Sequence, residues 1–131
     1  MSDSLNATVS RREDISDGLF VLHLRPDFDM PEFKAGQYGT IGLPGTAPRL
    51  PDTPEAPLKK PEKLIRRAYS IASGSIDRES VEFYIALVDN GALTPRLNVL
   101  KEGDRVHLGE RVVGNFTLDV VPPENDVIFL A

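Results

Sequence analysis

The amino-acid sequence predicts an all-β fold, a six-stranded antiparallel Greek-key β-barrel with one short capping helix. Three observations predict it. Short segments alternate apolar and polar residues with the period of half-buried strands, Gly, Pro and Asp separate them, and one segment carries helix start and stop signals. A chain of 131 residues, 40% hydrophobic and 27% charged, suits one domain with its own core. Closure into a small barrel also removes exposed sheet edges.

The elements follow in order. A first strand is expected over residues 7–15 and a second over 19–25, where Phe20, Leu22 and Leu24 share one face and Val21, His23 and Arg25 the other. A turn at 31–36 precedes a strand at 37–42. Residues 44–65 hold Pro44, Pro48, Pro51, Pro54, Pro57 and Pro61, six of the eleven prolines. Each removes a backbone donor and constrains its neighbour, so the segment reads as a long exposed loop inserted in the barrel. Strands return at 67–72 and at 81–88, where Val81, Phe83, Ile85 and Leu87 form an apolar row opposite Glu82, Tyr84, Ala86 and Val88. After a turn at 89–91, Thr94 is a good N-cap, Pro95 suits the first helical position, and Gly103 follows the helix. The N-terminus of that helix reads either as an anion site, with unpaired N–H groups, or as an ordinary capped end closing the barrel. Further strands are expected at 105–109, 115–118 and 126–131. His23 and His107 alternate with core-facing residues, so both should face out, and neither has metal-ligand spacing.

The formal charge of −5 disfavours a nucleic-acid partner. One basic patch stands against it: Lys59, Lys60, Lys63, Arg66 and Arg67, diluted by Glu62 alone. It suits an acidic protein or a phosphate group, and the three lysines read equally as a solvated loop. Without cysteine the chain carries no disulfide, thiolate zinc site or cysteine-ligated cluster, so redox chemistry calls for a borrowed organic cofactor. Neither a signal-peptide core nor a bilayer-length apolar run is present, which leads to the expectation of a cytoplasmic protein with no membrane partner.

Three segments carry the chemistry: Arg66-Arg67-Ala68-Tyr69-Ser70-Ile71-Ala72-Ser73, then Tyr84 followed by Asn90-Gly91-Ala92-Leu93-Thr94-Pro95-Arg96-Leu97, then Gly109 through Gly114-Asn115-Phe116. On a strand, Arg67 and Tyr69 share a face, so one ligand can touch both, while Ser70 points the other way. A guanidinium grips phosphate oxygens through paired charge-assisted hydrogen bonds. Tyr84, opposite an apolar row, is an aromatic on an outer face that wants cover. Read singly, Arg67 is a surface arginine, Tyr69 a core aromatic and Ser70 a turn hydroxyl.

Together and in this order, the segments resemble the FAD-binding domain of bacterial-type ferredoxin/flavodoxin–NADP⁺ reductases: an Arg-x-Tyr-Ser signature, an Asp/Asn-Gly-x-Leu-Ser/Thr-x-Arg-Leu segment and a Gly-rich turn. The resemblance covers nearly the whole chain except the proline-rich loop. It implies FAD as cofactor, NADP(H) as co-substrate, ferredoxin or flavodoxin as partner, and hydride exchange at flavin N5. It assigns Arg67 to the FAD diphosphate, Ala68, Tyr69 and Ser70 to the flavin ring and its ribityl chain, with Tyr69 and Ser70 nearest the reacting atom. Tyr84, Gly91, Ala92, Leu93 and Thr94 become further cofactor contacts. It also divides the chain into a flavin barrel, residues 1–124, and the first strand of a truncated NADP-binding domain, residues 125–131. On that division this chain alone is expected to be inactive with NADP(H) and to hold FAD weakly or not at all. Two rival readings stand beside it. One is the flavin domain of another electron-transfer reductase, such as an oxygenase reductase component or a ferric reductase. The other is a noncatalytic β-barrel binding module.

Overall fold

A computed structural model describes residues 5–31, 33, 37–55, 57–72 and 80–112. Six strands and one helix follow in the order β1 (Ala7–Ser16), β2 (Leu19–Pro26), β3 (Tyr38–Pro44), β4 (Leu64–Ser70), β5 (Val81–Ala86), α1 (Thr94–Asn98) and β6 (Arg105–Leu108). The strands expected at 115–118 and 126–131, the proposed start of a second domain, and Ser73, Gly114, Asn115 and Phe116 of the motifs lie outside the described residues.

All strand pairs are antiparallel, in the order β4-β3-β6-β1-β2-β5. The outermost two, β4 and β5, approach each other just past Ser70. There Ile71 bridges Phe83, and the Ala72 N–H donates to Glu82 O at 2.8 Å. The sheet therefore curls toward a barrel whose seam is one bridge instead of a continuous ladder. β1–β2 and β3–β4 are hairpins, while β5 crosses to β2 and β6 inserts between β1 and β3, the Greek-key crossing.

Period-two alternation decides the inside. Phe20, Leu22 and Leu24 of β2 and Val81, Phe83 and Ile85 of β5 are buried, joined by Val9, Ile41, Leu97, Val106 and Leu108. Side chains of this size each contribute roughly 1.5–3 kcal/mol on leaving water. The β1–β2 turn needs Gly18, whose φ of +75° is costly for residues with a β-carbon.

Three expectations change. Thr94 is not the N-cap, because Leu93 holds that position and no side chain caps the helix. The Thr94 hydroxyl instead accepts from the Val88 N–H at 2.9 Å and donates to Val88 O at 3.1 Å, closing the loop behind it. His107 keeps the face away from core residues Val106 and Leu108 but is buried there instead of exposed. It pairs with Gly42, where the missing β-carbon leaves room for the imidazole, and a β-carbon there would also lie 3.3 Å from Arg66 Cγ. The proline-rich loop, finally, is only partly exposed. Its end at 59–63 faces water, but Arg49 and Leu50 are half-buried against the segment leading into α1.

Candidate functional site

β4 carries the first motif. Its register against β3 sets Tyr38 opposite Ser70, Gly39 opposite Tyr69, Thr40 opposite Ala68 and Ile41 opposite Arg67. Ile41 is fully buried, so Arg67 leaves the strand on the core-side face, yet its side chain is exposed. Its exposure follows from the place of β4 as an outermost strand, which meets β5 only at the Ile71–Phe83 bridge beyond its end. Among the described residues no carboxylate pairs with Arg67; its one hydrogen bond goes to Arg66 O, 2.7 Å.

Tyr69 lies on the same face, half-buried against the core cluster. Burial pushes its phenol pKa up, and the Arg67 charge pulls it partly back, so the two side chains feel each other. Gly39 opposite has no side chain to crowd the ring, and a β-carbon there would already touch Phe83 at 3.6 Å. Ser70 and Ala68 occupy the outer face and are exposed, and β4 ends at Ser70. Arg66 is exposed as well.

The seam bridge draws this strand alongside β5. Tyr84 adjoins Phe83, points outward and is 53% exposed, with Val88 further along at 52%. Tyr69 and Tyr84 therefore stand on opposite faces of the sheet near the one point where β4 and β5 meet. Beyond β5, Gly91 makes a tight turn: its N–H donates to Val88 O at 2.8 Å, and a β-carbon would lie 3.1 Å from that oxygen, so that the oxygen would have to give way slightly. No acceptor among the described residues reaches the N–H groups of Ala92, Leu93 and Thr94. With five residues, α1 is too short for much macrodipole; the donors themselves are what the segment offers an anion.

Sequence reasoning missed what holds that segment. Arg96, 4% exposed, donates to Ala92 O and Gly45 O, each at 2.7 Å, and pairs with Glu55 at 2.8 Å. Its Nε is buried without an acceptor among the described residues. Arg49 donates to Gly91 O at 2.8 Å and to Asp89 O at 3.2 Å. Arg49 and Glu55 are single charged residues in a proline-rich stretch, and nothing local marks them as partners of a turn some forty residues on. No group of histidine, aspartate or glutamate able to hold a metal occurs among the described residues.

No family model matches the chain. At 34% identity over 122 residues, 93% of it aligns with the flavodoxin/ferredoxin–NADP reductase of Escherichia coli K12, and at 36% over 99 residues, 76% of it aligns with that of Rhodobacter capsulatus. The chain is homologous to the flavodoxin/ferredoxin–NADP reductases over part of their length. It spans 42% of the length of the first relative and 31% of the second. Solved structures share its fold. The Neisseria gonorrhoeae ferredoxin NADP⁺ reductase with bound FAD and NADP superposes with a TM-score of 0.66 at 18% identity, over 88% of this chain and 39% of that one. The flavohem-like FAD/NAD-binding domain of a Vibrio cholerae nitric oxide dioxygenase gives 0.66 at 20% identity, over 88% and 46%. No helix among the described residues is long and apolar enough to cross a membrane.

Proposed function

We propose that this chain is the FAD-binding domain of a ferredoxin/flavodoxin–NADP⁺ reductase. In the whole protein, hydride exchange with NADP(H) would be coupled to one-electron exchange with ferredoxin or flavodoxin. The observation that carries the reading is Arg67: an exposed guanidinium on the core-side face of β4, beside Tyr69 and without a carboxylate partner among the described residues. Such a charge suits a ligand with its own anion and a flat apolar body, which describes FAD.

The surrounding residues fit the rest of that cofactor. Arg67 supplies two parallel donors to the diphosphate, and the N–H groups of Ala92, Leu93 and Thr94, just past the tight turn at Gly91, supply more. Tyr69 offers a ring to the isoalloxazine and a neutral phenol to its ribityl chain. Ser70 and Ala68, at the end of β4, are the residues to approach and orient flavin N5. A bound cofactor would cover the outward ring of Tyr84 and remove it from water. FAD, when bound, supplies the ring that takes hydride in pairs of electrons and releases them singly; the protein's share is binding, orientation and electrostatics.

Titration of FAD into the chain, followed by quenching of flavin fluorescence, tests the reading. Saturable binding is expected, weakened about tenfold or more in Arg67→Ala through loss of a bidentate charged contact, and weakened also in Tyr69→Ala. Saturable binding to which both substitutions are indifferent would remove the assignment of this site.

A further inference from the structure

We propose that Arg49 and Glu55 of the proline-rich loop are positioning residues that orient the peptide groups of segment 91–93 to receive a diphosphate. The proposal rests on the flavin-domain reading above and concerns residues outside every motif that led to it.

The argument turns on the planarity of the peptide group. In a trans peptide the C=O of one residue and the N–H of the next point in opposite directions. Arg49 Nη1 donates to Gly91 O at 2.8 Å, so the Ala92 N–H is turned away from Arg49. Arg96 Nη1 donates to Ala92 O at 2.7 Å, so the Leu93 N–H is turned away from Arg96. These are two of the N–H groups that no acceptor among the described residues reaches. Drawing carbonyls toward two guanidinium groups thus presents two donors on the other side.

Glu55 joins the two arginines, with Oε1 2.8 Å from Arg96 and Oε2 3.7 Å from Arg49. Two cations against one carboxylate leave one net positive charge behind the donors, favourable to an anion in front of them. The loop is anchored around this centre. Leu50 N–H donates to Pro95 O at 3.1 Å, Thr53 Oγ1 donates to Leu50 O at 2.6 Å, and Arg49 also donates to Asp89 O and Pro54 O. The segment that would meet the diphosphate is therefore shaped before any ligand arrives, which lowers the cost of ordering it on binding.

The test compares two ligands differing in the phosphates. Arg49→Met and Glu55→Gln remove charge at similar volume, and each variant is titrated with FAD and with riboflavin, which lacks phosphate. Amide hydrogen exchange over residues 88–97 is measured alongside. FAD affinity is expected to fall about tenfold in Arg49→Met, equivalent to ~1.4 kcal/mol, and by less in Glu55→Gln. Riboflavin affinity should stay within about twofold while exchange at Gly91 and Arg96 quickens. Arg49→Lys, which keeps the charge without the fork, should restore part of the loss. FAD bound as tightly by both variants as by the wild type overturns the proposal, as does an equal loss of FAD and riboflavin, which marks general loosening. Wild-type protein that takes up neither flavin, also when extended through the nucleotide domain, brings down the flavin reading itself, and this proposal with it.

Discussion

His23 lies between two carboxylates, with Nε2 2.8 Å from Glu13 Oε2 and Nδ1 3.4 Å from Glu82 Oε1, stitching the outer faces of β1, β2 and β5. The hydrogen bond from His23, aided by the Arg11 charge, holds the Glu13 carboxyl below its usual 4.5. A folded-state pKa lowered in this way means that the native state favours the ionised carboxylate. Its stabilising effect is present above the unfolded value and is lost as pH falls through the lowered folded value. Glu13→Gln should lower stability modestly at neutral pH and leave it nearly unchanged well below the folded value, so that the acid side of the stability–pH curve flattens. A midpoint series in urea from pH 7 to 3 measures this, and parallel acid limbs for both proteins would count against the assignment. This cluster was only half legible in the sequence. Alternation put His23 on the outer face, but its partners come from cross-strand register. The same rule put His107 on the correct face but not in its buried state, because alternation cannot see that Gly42 opposite leaves a hollow.

The strands were legible element by element because their apolar period matches the burial that results: Phe20, Leu22 and Leu24 all went inside, as did Val81, Phe83 and Ile85. Ends were less so. β4 begins at Leu64 and not at residue 67, since its ladder with β3 runs on to Pro44 opposite Leu64. The cap of α1 was misread because Thr94 has a competing partner in the Val88 backbone, which local sequence rules do not contain. At this scale Thr94 serves the fold directly. Thr94→Val should cost about 1–3 kcal/mol by leaving a part-buried N–H unpaired, with Thr94→Ser retaining most of the stability. Chemical denaturation without added cofactor is the measurement, and an unchanged midpoint in Thr94→Val would assign the hydroxyl to ligand contact alone. The far end of α1 is held similarly: Arg12 stacks over Phe20 at 4.5 Å and donates to Leu100 O at 2.8 Å and to Asn98 O, tying helix to β1.

Across the whole molecule, an acidic composition stands beside one locally basic segment. The net charge is −5, yet Lys59, Lys60 and Lys63 lie exposed together at the outer end of the proline-rich loop, just before β4 and its two arginines. If the partner is an acidic electron carrier, that end faces it and steers the encounter. Reversing the three lysines to glutamate in the full reductase should lower kcat/KM for ferredoxin about tenfold at low ionic strength, with the difference shrinking as salt screens it. Turnover indifferent to the reversal at low salt would dismiss a docking role. The basic run was visible in the sequence; the docking of the same loop's inner half was not. It depends on Arg49 finding Gly91 and Glu55 finding Arg96, contacts of long sequence separation.

β6 has a consequence for how such a chain comes off the ribosome. Its first two residues pair with β1, Arg105 to Thr8 and Val106 to Ala7, and its last two with β3, His107 to Gly42 and Leu108 to Ile41. The Asn6 side chain grips both backbone groups of Leu108, 102 residues away, at 3.0 and 2.7 Å. The hairpins β1–β2 and β3–β4 can form as soon as each is synthesised, but the strand that splices them emerges only after nearly all the described chain. Until then β1 and β3 each present an unpaired edge, the kind of surface on which nascent chains pair wrongly with one another. The edges of both hairpins are thus closed only by four residues that arrive late in synthesis.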